Sequence, residues 1–455
     1  MKISSKNLFL DLLPALIIGL GLMLANPAAA QIFTNLHNFK AGVKTDGFNP
    51  YASLIISGST LYGTTYGGGS NSGVVFAIKT DGTGYTNVYT FTSVGNDGYK
   101  PHGELLLSGN TLYGTTEAGG THGAGNVFKV NTDGSGFVNL HTFTGATGGD
   151  GGGADGGLVQ SGSTLYGTTA TTVFKINING LGFTNLHVFT AGTNDGAASL
   201  ARLLLSGNTL YGTTRTAGAS NGGTIFAINT DGTGYTNLYN FSSGNGPFAG
   251  LILANNTLYG TTFGEGATSG GTVFRINTDG TGYTNLHSFA ISSPDNGAGP
   301  YGPVILWGRS LYGTTEGGGR FSAGTVYKIN TDGTGYTNVY SFTSVNGFST
   351  NGDGYGPTAG LILSGSTLYG TTEQGGLFTG GTVFSLTMPK VTLVPVQTNL
   401  VVRWPTNALG LTLQSVTNLS SGTSWTNVSQ APVVLNGQNV VTNPVSGAQK
   451  FYRLY

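Results

Sequence analysis

Short apolar runs separated by glycine-rich breaks recur along most of the chain. In one full copy, residues 53–57 form an apolar run ended by Gly58, and residues 61–66 a second ended by Gly67, Gly68 and Gly69. Residues 74–78 form a third, closed by Thr80, Asp81, Gly82, Thr83 and Gly84. In the fourth, residues 85–91, Tyr85, Asn87, Tyr89 and Phe91 alternate with Thr86, Val88 and Thr90. β-Branched and aromatic residues suit strands of this length, and glycine-containing breaks make turns. Asp-Gly in a short connection signals a hairpin. The pattern predicts four antiparallel strands, A to D, and no helix within the unit.

The unit repeats. Leu-Tyr-Gly-Thr-Thr, the core of strand B, begins at Leu61, Leu112, Leu165, Leu210, Leu258, Leu311 and Leu368. Four strands per roughly fifty residues fits a β-propeller blade. Runs apolar on both faces suit sheets packed between neighbours. Residues 32–39 read as a strand D with no A, B or C before it, and the seventh copy stops after its strand C. The early strand is therefore expected to complete the last blade, which would remove both sheet edges. The expected fold is all-β: a seven-bladed β-propeller closed by an N-terminal strand over residues 31–386, with a linker at 387–390 and a small C-terminal β-sandwich at 391–455. Strands in that last part are expected at 400–404, 411–415, 425–429, 433–441 and 451–454.

Leu-Tyr-Gly-Thr-Thr, a glycine-rich loop, Gly-Thr-Val-Phe and Asp-Gly-Thr-Gly together resemble the Gloeo/Verruco (GloVer) tandem repeat, over about residues 31–388. That resemblance implies an exported bacterial protein with surface or envelope association; it implies no activity. The Asp-Gly-Thr-Gly turn is also similar to that of TolB-type propeller repeats. The closing Phe451-Tyr452-Arg453-Leu454-Tyr455 resembles the ends of exported proteins from Verrucomicrobia-like bacteria, which implies a sorting or attachment module; a plain packing domain is the alternative.

Composition agrees with a folded exported chain. Charged residues are 8% and glycines number 80 among 455, yet 38% of residues are hydrophobic and 11% aromatic, more than disordered chains carry. Lys2 and Lys6, an apolar run over 8–24 and Ala28-Ala29-Ala30 predict a signal peptide at 1–30, cleaved before Gln31. No later stretch is long and apolar enough for a transmembrane span in the mature chain. Net charge is zero, so no basic surface points to nucleic acid. Cysteine is absent, which excludes disulfides, thiolate metal sites and cysteine nucleophiles.

Alternating strand direction places the B–C loops and D-to-A crossovers on one face. The C–D turns repeat Asp81, Asp133, Asp231, Asp279 and Asp332, with Asn179 in the third copy, and read as turn residues. His37, His141, His187 and His287 share a strand-D position with Tyr89, Tyr239 and Tyr340, which reads as packing. His102 and His122 stand outside it without Cys or clustered carboxylate partners, so no zinc site is expected. Crossover aspartates (Asp46, Asp97, Asp155, Asp195, Asp295, Asp353) read as turns. Asp150 and Asp155 lie in a run faintly like a calcium loop, without the usual ligand spacing. Gly-x-Gly-x-x-Gly strings open no helix, so no dinucleotide cofactor follows.

The variable positions carry the functional expectation. The residue after Leu-Tyr-Gly-Thr-Thr is Tyr66, Glu117, Ala170, Arg215, Phe263, Glu316 or Glu373. At the start of strand A one slot holds Ser53, Glu104, Gly157, Arg202, Gly250, Pro303 or Gly360. Only the second and fourth copies put a charge there, and they flank a third copy whose B–C loop is short. Glu104, Glu117, Arg202 and Arg215, with Tyr66 and Phe263 as stacking surfaces and Glu316 and Glu373 nearby, are the candidate ligand-binding residues. A structural Glu104–Arg202 pair is the alternative. No catalytic, cofactor or metal-binding residue is assigned. The expectation is a secreted or surface-attached, non-enzymatic propeller for recognition, adhesion or envelope structure, with polysaccharide or a cell-envelope component as partner. The alternatives are a glycan-active hydrolase or lyase with its site in the funnel, and a purely architectural protein.

Overall fold

In the computed structural model the described residues are 32–454, apart from 70, 93–95, 243–245, 267–268, 291–295, 345–349, 390, 397–398, 406–412, 418–424, 437 and 445–449. The expected signal peptide, Asp295 and the start of the strand at 411 lie outside them. The chain divides into two compact units, one of residues 34–385 and one of residues up to 33 with those from 386.

The first unit is built from four-stranded antiparallel sheets in the order A-B-C-D. The first sheet comprises Ile55–Ser57, Thr60–Thr65, Val74–Lys79 and Thr86–Thr90. The third comprises Val159–Ser161, Thr164–Thr168, Thr172–Asn177 and Thr184–Val188. The seventh takes Ile362–Ser364, Thr367–Thr372 and Thr379–Thr387 as A to C, and Ile32–Lys40 as its fourth strand. Strand A is shorter than the apolar run suggested, because its first residues belong to the crossover. One feature escaped sequence reading: strand D carries a bulge opposite strand C, as at Val75/Phe76 and Val273/Phe274. Among the described residues the single helical turn is Ala146–Gly148.

The Leu-Tyr-Gly-Thr-Thr string explains itself position by position. Its leucines are fully buried and join clusters spanning two successive sheets, as Leu112 does with Val75, Phe91 and Phe128. Removing such side chains from water is the main stabilising term. Phe39, Tyr369 and Val383 of the seventh sheet share a cluster with Leu54, Leu61 and Phe76 of the first. The glycine sits under the strand-C aromatic ring. A Cβ at Gly63 would lie 2.6 Å from Phe76 Cζ and 2.8 Å from Leu54 Cδ2. The second threonine bonds across to strand C, as Thr262 does with Thr272 at 2.8 Å.

In six copies the first threonine reaches the next repeat; in the first copy the Thr64 hydroxyl is buried without a partner. Thr115, Thr168, Thr213, Thr261, Thr314 and Thr371 donate at 2.7–3.2 Å to carbonyls of Gly156, Ala201, Ala249, Gly302, Ala359 and Pro50. Each acceptor is in a crossover just before strand A. The repeat's most regular motif thus fixes the backbone of its most variable segment.

The outer strand is tied down by the strand-D aromatic slot. Its His or Tyr ring stacks on the next repeat's aromatic residue at 3.7–3.9 Å, for example His187 on Tyr235 and Tyr89 on Phe137. The same side chains meet the crossover carboxylates: His37 with Asp46, Tyr89 with Asp97, His141 with Asp150, His187 with Asp195 and Tyr340 with Asp353, at 2.8–3.1 Å. The slot is therefore packing and hydrogen bonding together. Here one expectation is corrected. Asp150, not Asp155, holds the structural crossover position in the third repeat, and Asn296 holds it opposite His287.

The C–D turn residues behave as turn chemistry predicts. Asp81 Oδ1 accepts from the Thr83 amide and hydroxyl at 2.9 and 2.7 Å, and Asp133, Asp231, Asp279 and Asp332 do the same with their own i+2 residues.

In the second unit one sheet orders Thr392–Val396, Asn399–Pro405, Gln438–Pro444 and Val433–Leu435, and another Thr426–Asn427, Leu413–Val416 and Phe451–Leu454. Val402, Trp404, Leu413 and Val441 form its core. The strand at 392–396 was not anticipated. The expected strand 433–441 is a hairpin instead, broken where Asn436 takes a positive φ of 49°, as Asn before Gly readily does.

Candidate functional site

A cavity of about 1030 Å³ opens among the A strands of the first unit. Its wall follows from the period of two in extended chain. The expected slot of Ser53, Glu104 and Arg202 lines it in every repeat. So does the position two residues earlier, which holds Tyr51, His102, Asp155, Leu200, Phe248, Tyr301 or Thr358. Two residues beyond the slot, Leu106, Val159, Leu204, Ile252, Ile305 and Ile362 make an apolar tier. The crossover backbone carrying these side chains is held from both sides. The threonine bonds fix one, and pairing with the sheet's own B–C loop fixes the other, as Gly196–Ala197 pairs with Thr216–Ala217 and Tyr99 bridges to Ala118.

Of the eight candidates from sequence, the cavity wall includes Tyr66, Glu104, Glu117, Arg202 and Arg215. Phe263, Glu316 and Glu373 are not on it. Phe263 packs behind the wall, edge-on to Phe248 at 5.4 Å and Tyr301 at 5.9 Å. Glu373 accepts a hydrogen bond from the Tyr51 hydroxyl at 2.8 Å. Glu316 acts at longer range, through its charge on Tyr301. Tyr51, His102, Asp155, Phe248 and Tyr301 were missed. The signal was present: their position holds six residue types in seven copies and lies two residues before the Ser53, Glu104 and Arg202 slot.

The expected Glu104–Arg202 pair exists. Arg202 Nη1 donates to Glu104 Oε1 at 2.7 Å, and Arg202 Nε to the Leu158 carbonyl at 3.3 Å. The two side chains are 20% and 40% exposed, so the pair bridges the second and fourth copies across the short third one. Burial pushes the Glu104 carboxyl up and the guanidinium opposes it.

Two aromatic groups face the space. Tyr51 stacks on His102 at 5.0 Å and meets Tyr66 edge-on at 5.5 Å; Lys100 lies 4.9 Å over Tyr66. On the other side Phe248 and Tyr301 lie 4.5 Å apart, with the Arg215 guanidinium 4.3 Å over Phe248. Arg215 Nε is buried without a hydrogen-bond partner.

Asp155 stands out among the carboxyl groups. Its Oδ1 is buried and unpartnered. Burial, reinforced by the negative charge of Glu117, pushes its carboxyl up to about 7. Burial lowers His102, so its ring is neutral near pH 7. Burial and the Asp155 charge raise Tyr301 to about 12. Asp155 and Tyr301 come from the third and sixth repeats, so their coupling acts across the cavity. The arrangement offers flat aromatic faces, carboxylates and a guanidinium at one mouth, which suits a polar ligand with apolar faces. Among the described residues no three His, Asp or Glu side chains converge as metal ligands, and no helix is long and apolar enough to cross a membrane.

The sequence matches the Gloeobacter/Verrucomicrobia repeat over residues 19–171 and 170–300. No curated protein matches it significantly. Among solved structures the chain is similar to the extracellular domain of a protein from B. thetaiotaomicron assigned to the hybrid two-component systems, with 11% identity, a TM-score of 0.53 and coverage of 85% of this chain and 43% of that one. It is also similar to the GH74 enzyme of Niastella koreensis, with 15% identity, a TM-score of 0.50 and coverage of 82% and 59%. The chain thus spans less than half of the first relative and under two thirds of the second. These likenesses show a propeller-like all-β fold.

Proposed function

The chain belongs to the Gloeobacter/Verrucomicrobia repeat family, and from that premise we propose a secreted or surface-attached recognition protein that binds a carbohydrate in the cavity between its A strands. The observation that carries this is the cavity wall itself. Aromatic faces and charges stand at the positions where the copies differ, on a backbone fixed by those where they agree. Such variable segments on a rigid scaffold are where binding usually sits. We read residues 31–386 as a closed seven-bladed propeller, 387–390 as a linker and 391–455 as a separate β-sandwich for sorting or attachment. The fourth strand of the seventh sheet and the cluster shared by the first and seventh sheets support the ring. Export through a signal peptide at residues 1–30 rests on the sequence pattern.

A second reading is a glycan hydrolase or lyase, favoured by one observation. Asp155, raised to about 7 beside Glu117, has the character of a general acid or base. A binding screen of the full chain against neutral, acidic and amino polysaccharides, run with an assay for released product, tests both. Binding without product supports recognition; binding with product supports the enzyme. Absence of binding to every polysaccharide refutes both and leaves an architectural role.

A further inference from the structure

We propose that the preferred ligand is a saccharide bearing free amino groups, an inference that rests on the saccharide reading of the cavity and narrows it. The cavity mouth carries an excess of negative charge. Glu117 and Asp155 line it, Glu373 holds the Tyr51 hydroxyl at its edge, and Glu316 lies close enough to act on Tyr301. Against these four carboxyl groups, two of them raised, stand two cations, Lys100 and Arg215, each held over an aromatic face, Tyr66 and Phe248. Among the described residues none of the four has a Lys or Arg nitrogen within 4.0 Å, in contrast to Glu104 deeper in the cavity. The whole chain balances 18 acidic against 18 basic residues, so the imbalance is local.

The carboxyl groups bear the mark of this crowding. Glu117 adds to the raised Asp155, and Glu373 adds to the raised Glu316, burial being the larger cause in each case. Burial is the main cause that raises Tyr301; the charges of Asp155, Glu316 and Glu373 add to it, and that of Arg215 opposes them. A ligand ammonium entering between Tyr51 and Tyr301 would relieve that repulsion. It would also meet two aromatic faces that attract cations, and the Asp155 carboxyl lies on the cavity wall to pair with it. An anionic sugar would meet the reverse. The apolar tier of Ile252 and Ile305 beneath, with the flat rings above, suits the mixed polar and apolar faces of a pyranose better than an extended lysine chain.

The test compares hexamers of glucosamine, N-acetylglucosamine, galacturonate and lysine by calorimetric titration of the full chain near neutral pH. The glucosamine hexamer should bind roughly tenfold or more tighter than the acetylated one, the factor expected of one hydrogen bond to a charged group. Asp155→Asn should remove most of that preference while the acetylated hexamer is unaffected, with circular dichroism confirming the fold. Equal or tighter binding of the acetylated or galacturonate hexamer overturns the inference but leaves the saccharide reading standing. Lysine hexamer binding as tightly as glucosamine hexamer overturns it in favour of a cationic peptide. Absence of binding by any of the four overturns the inference, and the polysaccharide screen then decides the saccharide reading separately.

Discussion

Replacing Asp155 by Asn should stabilise the protein at alkaline pH and leave it unchanged in acid. The carboxyl is raised from 3.8 to about 7 in the folded state, mainly by burial and further by Glu117. A raised carboxyl binds its proton more tightly folded than unfolded. Its contribution is therefore intact below the unfolded value and is lost as pH rises through the folded one. The two values lie about three pH units apart, and each unit corresponds to about 1.4 kcal/mol, so the ionised form costs the fold roughly 4 kcal/mol above pH 8. That is a sizeable share of a typical 5–15 kcal/mol total. Asn keeps the shape and cannot ionise. Urea midpoints of wild type and Asp155→Asn, taken at pH 4, 5.5, 7 and 8.5, give the difference directly. It should be small at pH 4, open between pH 4 and 7, and level off at about 4 kcal/mol beyond. A difference that is constant across this range would refute the account, because only an ionising group produces the step.

Three further outcomes follow from the repeats. Tyr327 is fully buried with an unpartnered hydroxyl where the other copies place Phe; Tyr327→Phe should raise stability by about 1 kcal/mol, and a lower thermal midpoint would contradict it. Gly260→Ala would set a Cβ 2.6 Å from Phe274 Cζ and 2.8 Å from Leu251 Cδ2, costing about 1–3 kcal/mol by overpacking; an unchanged urea midpoint would show that strand B has room to move. His187→Tyr should lie within about 0.5 kcal/mol of wild type, because Tyr89 makes the same stack and carboxylate bond, whereas His187→Ala should cost about 2 kcal/mol; chemical denaturation of the pair separates a shared aromatic slot from a histidine-specific role.

Much of the site was legible, and the reason for what was missed is specific. Glu104 and Arg202 share a slot and flank the short third loop, so their pairing could be anticipated from two sequence features. Asp155 was grouped with Asp46 and Asp97 because all three occur in crossovers. The hydrogen bond from His141 shows that Asp150 fills that role, which frees Asp155 to face the cavity. Counting residues along a variable-length crossover cannot show which aspartate reaches back to strand D. Phe263, Glu316 and Glu373 follow the same motif as Tyr66 and Glu117, yet stand back from the wall. Crossover side chains meet two of them first: Phe248 and Tyr301 pack on Phe263, and the Tyr51 hydroxyl bonds to Glu373.

The repeat, the four strands of its unit and the roles of its regular positions can be read from the residues alone. Those depend on local propensity, on a period of two and on contacts that recur in most copies. Which side chains line the cavity, by contrast, is settled only by the folded chain. Tyr51 from the first repeat, Asp155 from the third, Phe248 from the fifth and Tyr301 from the sixth are far apart in the chain, and they share a cavity because Thr371, Thr115, Thr213 and Thr261 pin the crossovers that carry them. Burial, which raises Asp155 and leaves its oxygen unpartnered, is a property of that convergence and not of any one segment.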